Sequence, residues 1–302
     1  MEYVHMLNTP ALKKPQVVAV FDGWSDAEKA STTVIRYLTD LLPAKRFGEI
    51  DPEEFYEFTT VRPVAIQDER GERAITWPVN EFRYWRNEGG ENDLLLILGT
   101  EPNLKWRTYT SLLMRLLEPY DVSLVVTLGS LLAPVPHTRD SKMQAYANRP
   151  DLLQKLEKMG VEPLVTQTYQ GPVGISSVFS EACEKRGYAC TRIWASAPHY
   201  LQSVTNYKVS FGLFRLANDL LGLDLPLKMP QDKARAFEKE VSRALVSNND
   251  VRSYVQKLEQ EYDKLSESQG ESQEGLPPPD AMVKELEEFL KKQQGNGTKD
   301  SE

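Results

Sequence analysis

Cysteine and histidine are scarce in this chain, whose 302 residues contain only two cysteines and three histidines. A disulfide-stapled secreted scaffold needs many more cysteines, so Cys183 and Cys190 are predicted to be reduced, packed thiols. Three dispersed histidines do not match the ligand spacing of a zinc site. The sequence therefore predicts no metal site and no cofactor.

The motifs of several well-known enzyme classes are also absent. There is no G-x-S-x-G turn around a serine nucleophile, no H-E-x-x-H helix and no C-x-x-C pair. Neither the G-x-x-x-x-G-K-[ST] nor the G-x-G-x-x-G phosphate-binding loop occurs. These absences favour a protein without enzymatic activity.

Long apolar runs and an excess of positive charge are missing as well. No stretch approaches the roughly 18 apolar residues that span a bilayer, and the start MEYVHMLNTP lacks a basic region followed by an apolar core. The chain is therefore expected to be cytoplasmic, without a membrane partner. A net charge of −8 and a pI near 5.2 argue against nucleic acid, which is bound by clustered lysines and arginines.

Short apolar runs predict strands of a sheet. Three runs have the composition of strands buried on both faces, namely Val17–Phe21, Leu94–Leu98 and Ser123–Leu128. A fourth strand is predicted at Tyr188–Ala195. Weaker strands are predicted at Phe55–Thr60, Arg73–Val79 and Val161–Val165. Helical periodicity separates the main runs, and such alternation is typical of an α/β fold with a mostly parallel sheet flanked by helices.

The first strand is predicted to turn directly into a helix. Ser25 and Glu28 have the spacing of a capping box, and apolar residues then recur at helical intervals until Pro43. Because all the crossovers are right-handed, five loops are expected at one edge of the sheet, namely residues 22–24, 99–101, 129–130, 170–174 and 196–199. The candidate site residues near this edge are Asp22, Trp24, Asp26, Glu101, Arg107, His137, Arg139, Gly171, Gly174 and His199.

Several candidates have both a chemical and a structural interpretation. His137 and His199 could act as general bases, since imidazole titrates near neutrality, or each could bond a backbone carbonyl and hold its loop. Asp22 and Asp26 could bind a cation or form an acid–base pair, or they could cap the following helix.

The remaining candidates also have two interpretations each. Arg107 and Arg139 could clamp an anion, or pair with a nearby carboxylate such as Glu101, Asp22 or Asp140. Gly171 and Gly174 precede a helix, where backbone N–H groups could hold a phosphate or form a tight turn. Trp24 could stack on a ligand or pack in the core or an interface.

The composition divides the chain near residue 228. Residues 1–227 are predicted to form the α/β core, and residues 228–302 a charged helical appendage with a linker at about 266–279 and a disordered tail. Five of the eight excess negative charges lie in residues 251–302. The appendage helices either pack on their own subunit or meet a neighbouring subunit or another protein.

Six segments together resemble the proteasome assembly chaperone 2 family, as a stand-alone prokaryotic member. They are FDGWSDA at 21–27, DPEEFYEF at 51–58, GTEPNLKWRTY at 99–109, LGSLLAPVPHTR at 128–139, YQGPVGI at 169–175 and WASAPHYLQ at 194–202. The resemblance implies a phosphorylase/hydrolase-like sheet and a homo-oligomer, with a trimer favoured. It also implies a chaperone-like role through protein contacts, including contacts with proteasome subunits. The alternative is a small-molecule-binding or hydrolase/phosphorylase-like enzyme that uses the strand-end loops.

Overall fold

The structure is a computed structural model that describes residues 3–67, 71–164, 170–202, 204–246 and 249–268. Its strands are β1 (Val4–Met6), β2 (Gln16–Asp22), β3 (Lys45–Ile50), β4 (Val64–Gln67), β5 (Arg73–Thr76), β6 (Asn80–Trp85), β7 (Leu94–Thr100), β8 (Leu124–Ala133), β9 (Met143–Ala147), β10 (Glu162–Pro163) and β11 (Cys190–Pro198). Its α-helices are α1 (Ala30–Leu41), α2 (Trp106–Leu117), α3 (Pro150–Lys158), α4 (Ile175–Lys185), α5 (Tyr207–Leu221), α6 (Lys228–Val246) and α7 (Asn249–Ser268).

The main sheet has the strand order β1-β3-β6-β7-β2-β8-β11-β9-β10. Its four central strands, β7, β2, β8 and β11, are parallel to one another. On either side, β6 runs antiparallel to β7, and β9 runs antiparallel to β11. The predicted α/β class is therefore confirmed, with a sheet that is parallel at its centre and mixed towards its edges.

The central strands are apolar on both faces because helices cover both faces. Val18 and Val20 of β2 face the core cluster formed with α1 and α5. Val17 and Ala19 face the opposite cluster, formed with α2 and α4. The four predicted central strands are confirmed, although β8 continues to Ala133, beyond the predicted end at Leu128.

Three weaker strand predictions need correction. Residues 55–60 form turns, and Phe55 and Tyr56 are both buried although they are adjacent. Residues 73–76 are a strand, but it pairs with β4 in a separate two-stranded hairpin. The strand predicted at 161–165 shortens to β10, and residue 165 lies outside the described residues.

The predicted capping box is wrong. Residues Ala27–Lys29 form a 3-10 turn in which Glu28 and Lys29 have φ angles of 56° and 54°, so that α1 begins at Ala30. The carboxylate of Asp26 binds the start of this helix instead, accepting the N–H and the hydroxyl of Ser31, each at 2.7 Å. The left-handed turn therefore transfers the capping role from Ser25 to Asp26.

Both cysteines are free and buried. Cys183 lies on α4 and Cys190 begins β11. Burial raises the pKa of Cys183, and it raises the pKa of Cys190 to about 11. Both thiols are therefore protonated at neutral pH.

The last two described helices pack on the same chain as the core. Phe237 of α6 is buried and contacts Tyr207 of α5 edge-on, with ring centroids 6.2 Å apart. Val255 and Leu258 of α7 are also buried. No described helix is both long enough and apolar enough to cross a membrane. Helix α7 extends to Ser268, into the predicted linker, and the predicted final helix and tail lie outside the described residues.

Candidate functional site

Glu101 organises the carboxyl edge of the central strands. One carboxylate oxygen accepts the N–H of Trp24 at 3.1 Å, and the other accepts the N–H of Ile175 at 2.8 Å. The N–H of Glu101 itself donates to the carbonyl of Asp22 at 2.7 Å. One side chain thus joins the loops that follow β2 and β7 to the start of α4.

Two glycines permit this close approach. Gly23 has a φ of 144°, and a Cβ there would lie 2.8 Å from Cβ of Glu101. A Cβ on Gly174 would lie 3.1 Å from Oε1 of Glu101 and 3.4 Å from the indole of Trp24. The glycine turn before α4 therefore provides space for Glu101 and for the tryptophan ring.

The loop after β2 is also tied to β8. The N–H of Ser130 donates to the carbonyl of Ser25 at 3.0 Å, and its hydroxyl donates to the carbonyl of Ala27 at 2.8 Å. Together with the Glu101 contacts, these bonds bring the predicted loops at 22–24, 99–101 and 129–130 and Gly174 to one edge. No contact of Gly171 supports a ligand role among the described residues.

The two predicted aspartates have structural partners. Asp22 forms an ion pair with Lys29. Asp26 is buried, and burial raises the pKa of its carboxyl group while hydrogen bonds from Thr32 and Ser31 partly oppose the rise. Asp26 has the contacts of a helix cap, and its acceptor oxygens are directed to its own chain.

His137 and His199 form a second group beneath the appendage helices. His137 Nδ1 lies 2.8 Å from the hydroxyl of Tyr200, and its Nε2 lies 3.1 Å from the hydroxyl of Ser242 on α6. His199 Nδ1 lies 3.1 Å from the carbonyl of Ala133, and its Nε2 lies 3.1 Å from the hydroxyl of Tyr254 on α7. Each imidazole therefore bridges the core and one appendage helix.

The environment of His137 favours the neutral ring. Burial lowers the pKa of His137, and the charge of Lys208 lowers it further, while Glu238 and Glu259 raise it. A neutral ring suits its position between two hydroxyl groups, each of which can donate or accept a hydrogen bond.

Arg139 fastens α7 to the loop after β8. Its Nε and Nη2 donate to the two carboxylate oxygens of Asp263 at 2.8 and 2.7 Å. Glu259 lies 3.6 Å from Nη1 of the same guanidinium and accepts the hydroxyl proton of Thr138. Ion pairing of Arg139 is present, but its partners are on α7 and differ from the three carboxylates considered from the sequence.

Arg107 does not join either group. It lies on α2 beside a cavity of about 320 Å³ that is also lined by Tyr3, Thr108, Ser111, Leu112 and Arg115. Among the described residues, Arg107 forms no ion pair with Glu101 or Asp22.

Glu28 was assigned a capping role from the sequence, and its position in the fold is different. Its side chain is only 6% exposed, and one carboxylate oxygen accepts the side-chain N–H of Asn206 at 2.6 Å. The other oxygen has no hydrogen-bond partner among the described residues. Burial raises the pKa of Glu28 to about 7. Its neighbours in the sequence, Asp26, Lys29 and Ser31 among them, are mostly polar, so no sequence signal indicates that this acid is buried.

Large apolar side chains are exposed beside Glu101. Trp24 is 51% exposed, Leu104 is 49% exposed and Val173 is 48% exposed, and we call these three residues the apolar rim. Isolated exposed apolar residues are ordinary, but a group at one sheet edge is typical of a contact surface. Since Glu101 uses both carboxylate oxygens to bind loop amides, the rim is better suited to apolar contact than to acid–base chemistry.

The sequence and the fold are both similar to those of known proteins. The model of the PAC2 family matches residues 20–245. A proteasome-assembly chaperone homologue from Mycobacterium tuberculosis is 32% identical, with 80% of this chain and 99% of that chain covered and a TM-score of 0.68. A PAC2 family protein from Streptomyces avermitilis is 33% identical, with the same coverage and TM-score.

A more distant structure shares the fold. PbaB from Pyrococcus furiosus, an archaeal proteasome activator, is 16% identical, with 80% of this chain and 97% of that chain covered and a TM-score of 0.65. The search of curated proteins found no match. The match over residues 20–245 and the two relatives above 30% identity show that this chain belongs to the PAC2 family.

Proposed function

We propose that this protein is a cytoplasmic, homo-oligomeric, chaperone-like protein that acts by protein–protein contacts, with proteasome subunits among its partners. A trimer is the favoured assembly. The observation that carries the proposal is the apolar rim, which is exposed beside a carboxylate already bonded to two loops. Covering such a surface with another protein removes apolar area from water and so favours binding.

The relatives also support a chaperone-like role. One relative above 30% identity is a proteasome-assembly chaperone homologue. The carboxylate of Glu101 accepts the backbone N–H of Trp24 and fixes the loop that carries the tryptophan, so little backbone order has to be gained there on binding. Aromatic side chains held in this way are common anchors of protein interfaces.

The test combines the size of the assembly with the identity of its partners. Light scattering on the purified chain at micromolar concentration is expected to give a closed homo-oligomer. A pull-down with mass spectrometry is expected to enrich proteasome subunits, and Trp24→Ser is expected to weaken the homo-oligomer. Leu7→Ser is the matched control, because Leu7 is also exposed, at 68%. Its N–H donates to the carbonyl of Phe47 near the start of β3. A monomer, or no enrichment of proteasome subunits, would overturn the proposal.

The enzyme alternative has less support from the geometry. All four ring nitrogens of His137 and His199 already contact groups of the same chain. A general base needs a free nitrogen within hydrogen-bond reach of its substrate. A metabolite that raises the melting temperature of the wild type but not of His199→Ala would favour the enzyme instead.

A further inference from the structure

The hairpin of β4 and β5 is the most exposed apolar element of the described chain. Val64, Ile66, Ile75 and Trp77 are 59%, 46%, 51% and 48% exposed. We call residues 62–67 and 71–77 the arm. The arm pairs with no strand of the main sheet.

Both faces of the arm are apolar. In its register, Val64 pairs with Thr76 and Ile66 pairs with Ala74, so Val64 and Ile66 lie on one face. Ile75 lies on the other face, because successive side chains of a strand alternate. A two-stranded ribbon of this kind is marginally stable alone and is stabilised by a covering surface.

One side chain anchors the arm to its own core. Trp77 contacts Phe58 edge-on, with ring centroids 4.9 Å apart. The outermost described pair of the hairpin is Gln67 with Arg73. Since Arg73 is three residues before Thr76, it lies about 10 Å further along the arm. The arm therefore extends away from this anchor.

Among its described residues the arm carries two arginines, Arg62 and Arg73, and one glutamate, Glu72, which leaves an excess of one positive charge. Arg62 and Arg73 form no ion pair with any residue that the structure describes. Both side chains are exposed. An unpaired guanidinium beside exposed apolar groups is a common feature of protein interfaces, where arginine is enriched.

A surface of opposite charge adjoins the apolar rim. The carbonyl of Phe55 accepts the N–H groups of Asn103 and Leu104 at 2.9 and 3.0 Å, which places the turn at residues 51–57 beside Leu104. We call this the acidic turn, because it contains Asp51, Glu53, Glu54 and Glu57. Two side chains oppose these charges, Lys105 at Glu54 and His5 at Asp51.

We propose that the arm of one protomer docks on the apolar rim and acidic turn of a second copy of this chain. The proposal rests on the proposed homo-oligomer and specifies its interface. Apolar residues of the arm cover Trp24, Leu104 and Val173, while Arg62 and Arg73 meet the carboxylates of the acidic turn. The exposed side chains and the opposite charges are thereby matched in one contact.

This contact is heterologous, because the arm and the rim are different surfaces. Repetition of this contact around a rotation axis closes an assembly, either with two protomers that exchange arms about a two-fold axis or with three that form the favoured trimer. An arm-to-arm contact would instead give a two-fold dimer in which the rim has no part.

Mixing two variants tests the heterologous contact. The arm variant is Ile66→Ser with Ile75→Ser, and the rim variant is Trp24→Ser with Leu104→Ser. All four side chains are exposed, so both variants are expected to fold and to keep the far-ultraviolet circular dichroism spectrum of the wild type. Each variant alone is expected to be monomeric in light scattering. Their equimolar mixture is expected to form a dimer, since one intact arm and one intact rim remain.

The outcomes separate this interface from the proposed function. A monomeric wild type would overturn the proposed homo-oligomer itself. An assembled wild type whose arm variant or rim variant also assembles normally would overturn arm docking alone. A mixture that stays monomeric would overturn the heterologous arrangement. Leu7→Ser is again the matched control and is expected to assemble as the wild type does.

Charge provides a second readout. Arg73→Glu is expected to raise the dissociation constant of the assembly by about tenfold or more at low salt, because it places like charges together. The increase is expected to shrink in about 1 M salt, where exposed charges are screened. A dissociation constant that is unchanged at low salt would overturn the charge-matched contact.

Discussion

The carboxylate of Glu101 accepts the backbone N–H of Trp24 at 3.1 Å, which fixes the loop that exposes the tryptophan. Its second oxygen accepts the N–H of Ile175 at 2.8 Å. Glu101 is a positioning residue, because it acts on the rim through the backbone of its neighbours.

Replacing Glu101 by alanine is expected to destabilise the fold and the rim together. Glu101→Ala leaves two backbone N–H groups without their acceptor, and an unsatisfied donor costs about 1–3 kcal/mol when it is shielded from water. Urea unfolding should show a lower midpoint. Glu101→Gln keeps one carbonyl oxygen as an acceptor and is expected to lose less. Equal stability of the alanine variant and the wild type would contradict this role.

The buried carboxyl group of Glu28 is expected to make stability depend on pH. Its pKa in the folded chain is about 7, above the ordinary value of 4.5, so the folded state binds the proton more tightly than the unfolded state. The resulting stabilisation is complete below pH 4.5 and is lost as the pH rises through 7. Glu28→Gln should therefore be more stable than the wild type at pH 8, by up to about 3 kcal/mol.

The measurement for Glu28 is the free energy of unfolding in urea from about pH 5 to about pH 9, on either side of the raised pKa. The matched control is Glu88→Gln, which makes the same chemical change in an exposed turn outside the proposed docking surface. The control should follow the wild-type curve. A Glu28→Gln curve parallel to that of the wild type would show that the carboxyl group titrates normally.

Loss of Arg139 is expected to loosen α7. Arg139→Met removes the two hydrogen bonds to Asp263 and leaves Glu259 without its cation. Because the pair is partly exposed, its effect should be larger at low salt than at high salt. Hydrogen exchange at residues 255–262 should accelerate severalfold, as expected when local opening becomes easier.

The matched control for α7 is Arg186→Met, which removes the ion pair with Glu118 elsewhere on the surface. That variant should leave exchange at residues 255–262 unchanged. Equal exchange of Arg139→Met and the wild type would show that Val255 and Leu258 alone hold the helix.

Gly129 is expected to tolerate no side chain. A Cβ there would lie 2.7 Å from the ring of Trp194 and 3.0 Å from the carbonyl of Ser25. Gly129→Ala should lower the free energy of unfolding by about 1–3 kcal/mol, because the partly buried ring of Trp194 and the backbone of Ser25 would both have to shift. Gly89→Ala is the control, since nothing lies within 4 Å of its added Cβ. Similar melting temperatures of the two variants would contradict this packing.

Much of the sheet could be predicted because its central strands are continuous apolar runs. Strands β3 and β6, which lie between β1 and β7, mix charged and aromatic residues, so they lack that signal. The strand predicted at 55–60 failed for a related reason. Alternation suggested one buried face, whereas adjacent Phe55 and Tyr56 are both buried in a turn.

Only part of the candidate site could be predicted from the sequence. Parallel topology predicts that strand-end loops meet, and Trp24 and Glu101 do meet there. It does not predict contacts made by an appended segment, such as that between His137 and Ser242, which are 105 residues apart. The sequence of the left-handed turn that buries Glu28 cannot be distinguished from that of a capping box, so the turn could not be predicted.

The two shielded sulfur atoms make the chain suitable for site-directed labelling. Cys183 and Cys190 are buried, and their raised pKa values keep them in the poorly nucleophilic thiol form. A maleimide dye should therefore react with a single cysteine introduced on the surface and leave both native sulfur atoms unmodified. Fluorescence energy transfer between protomers can then be measured in the folded chain without first deleting a native residue.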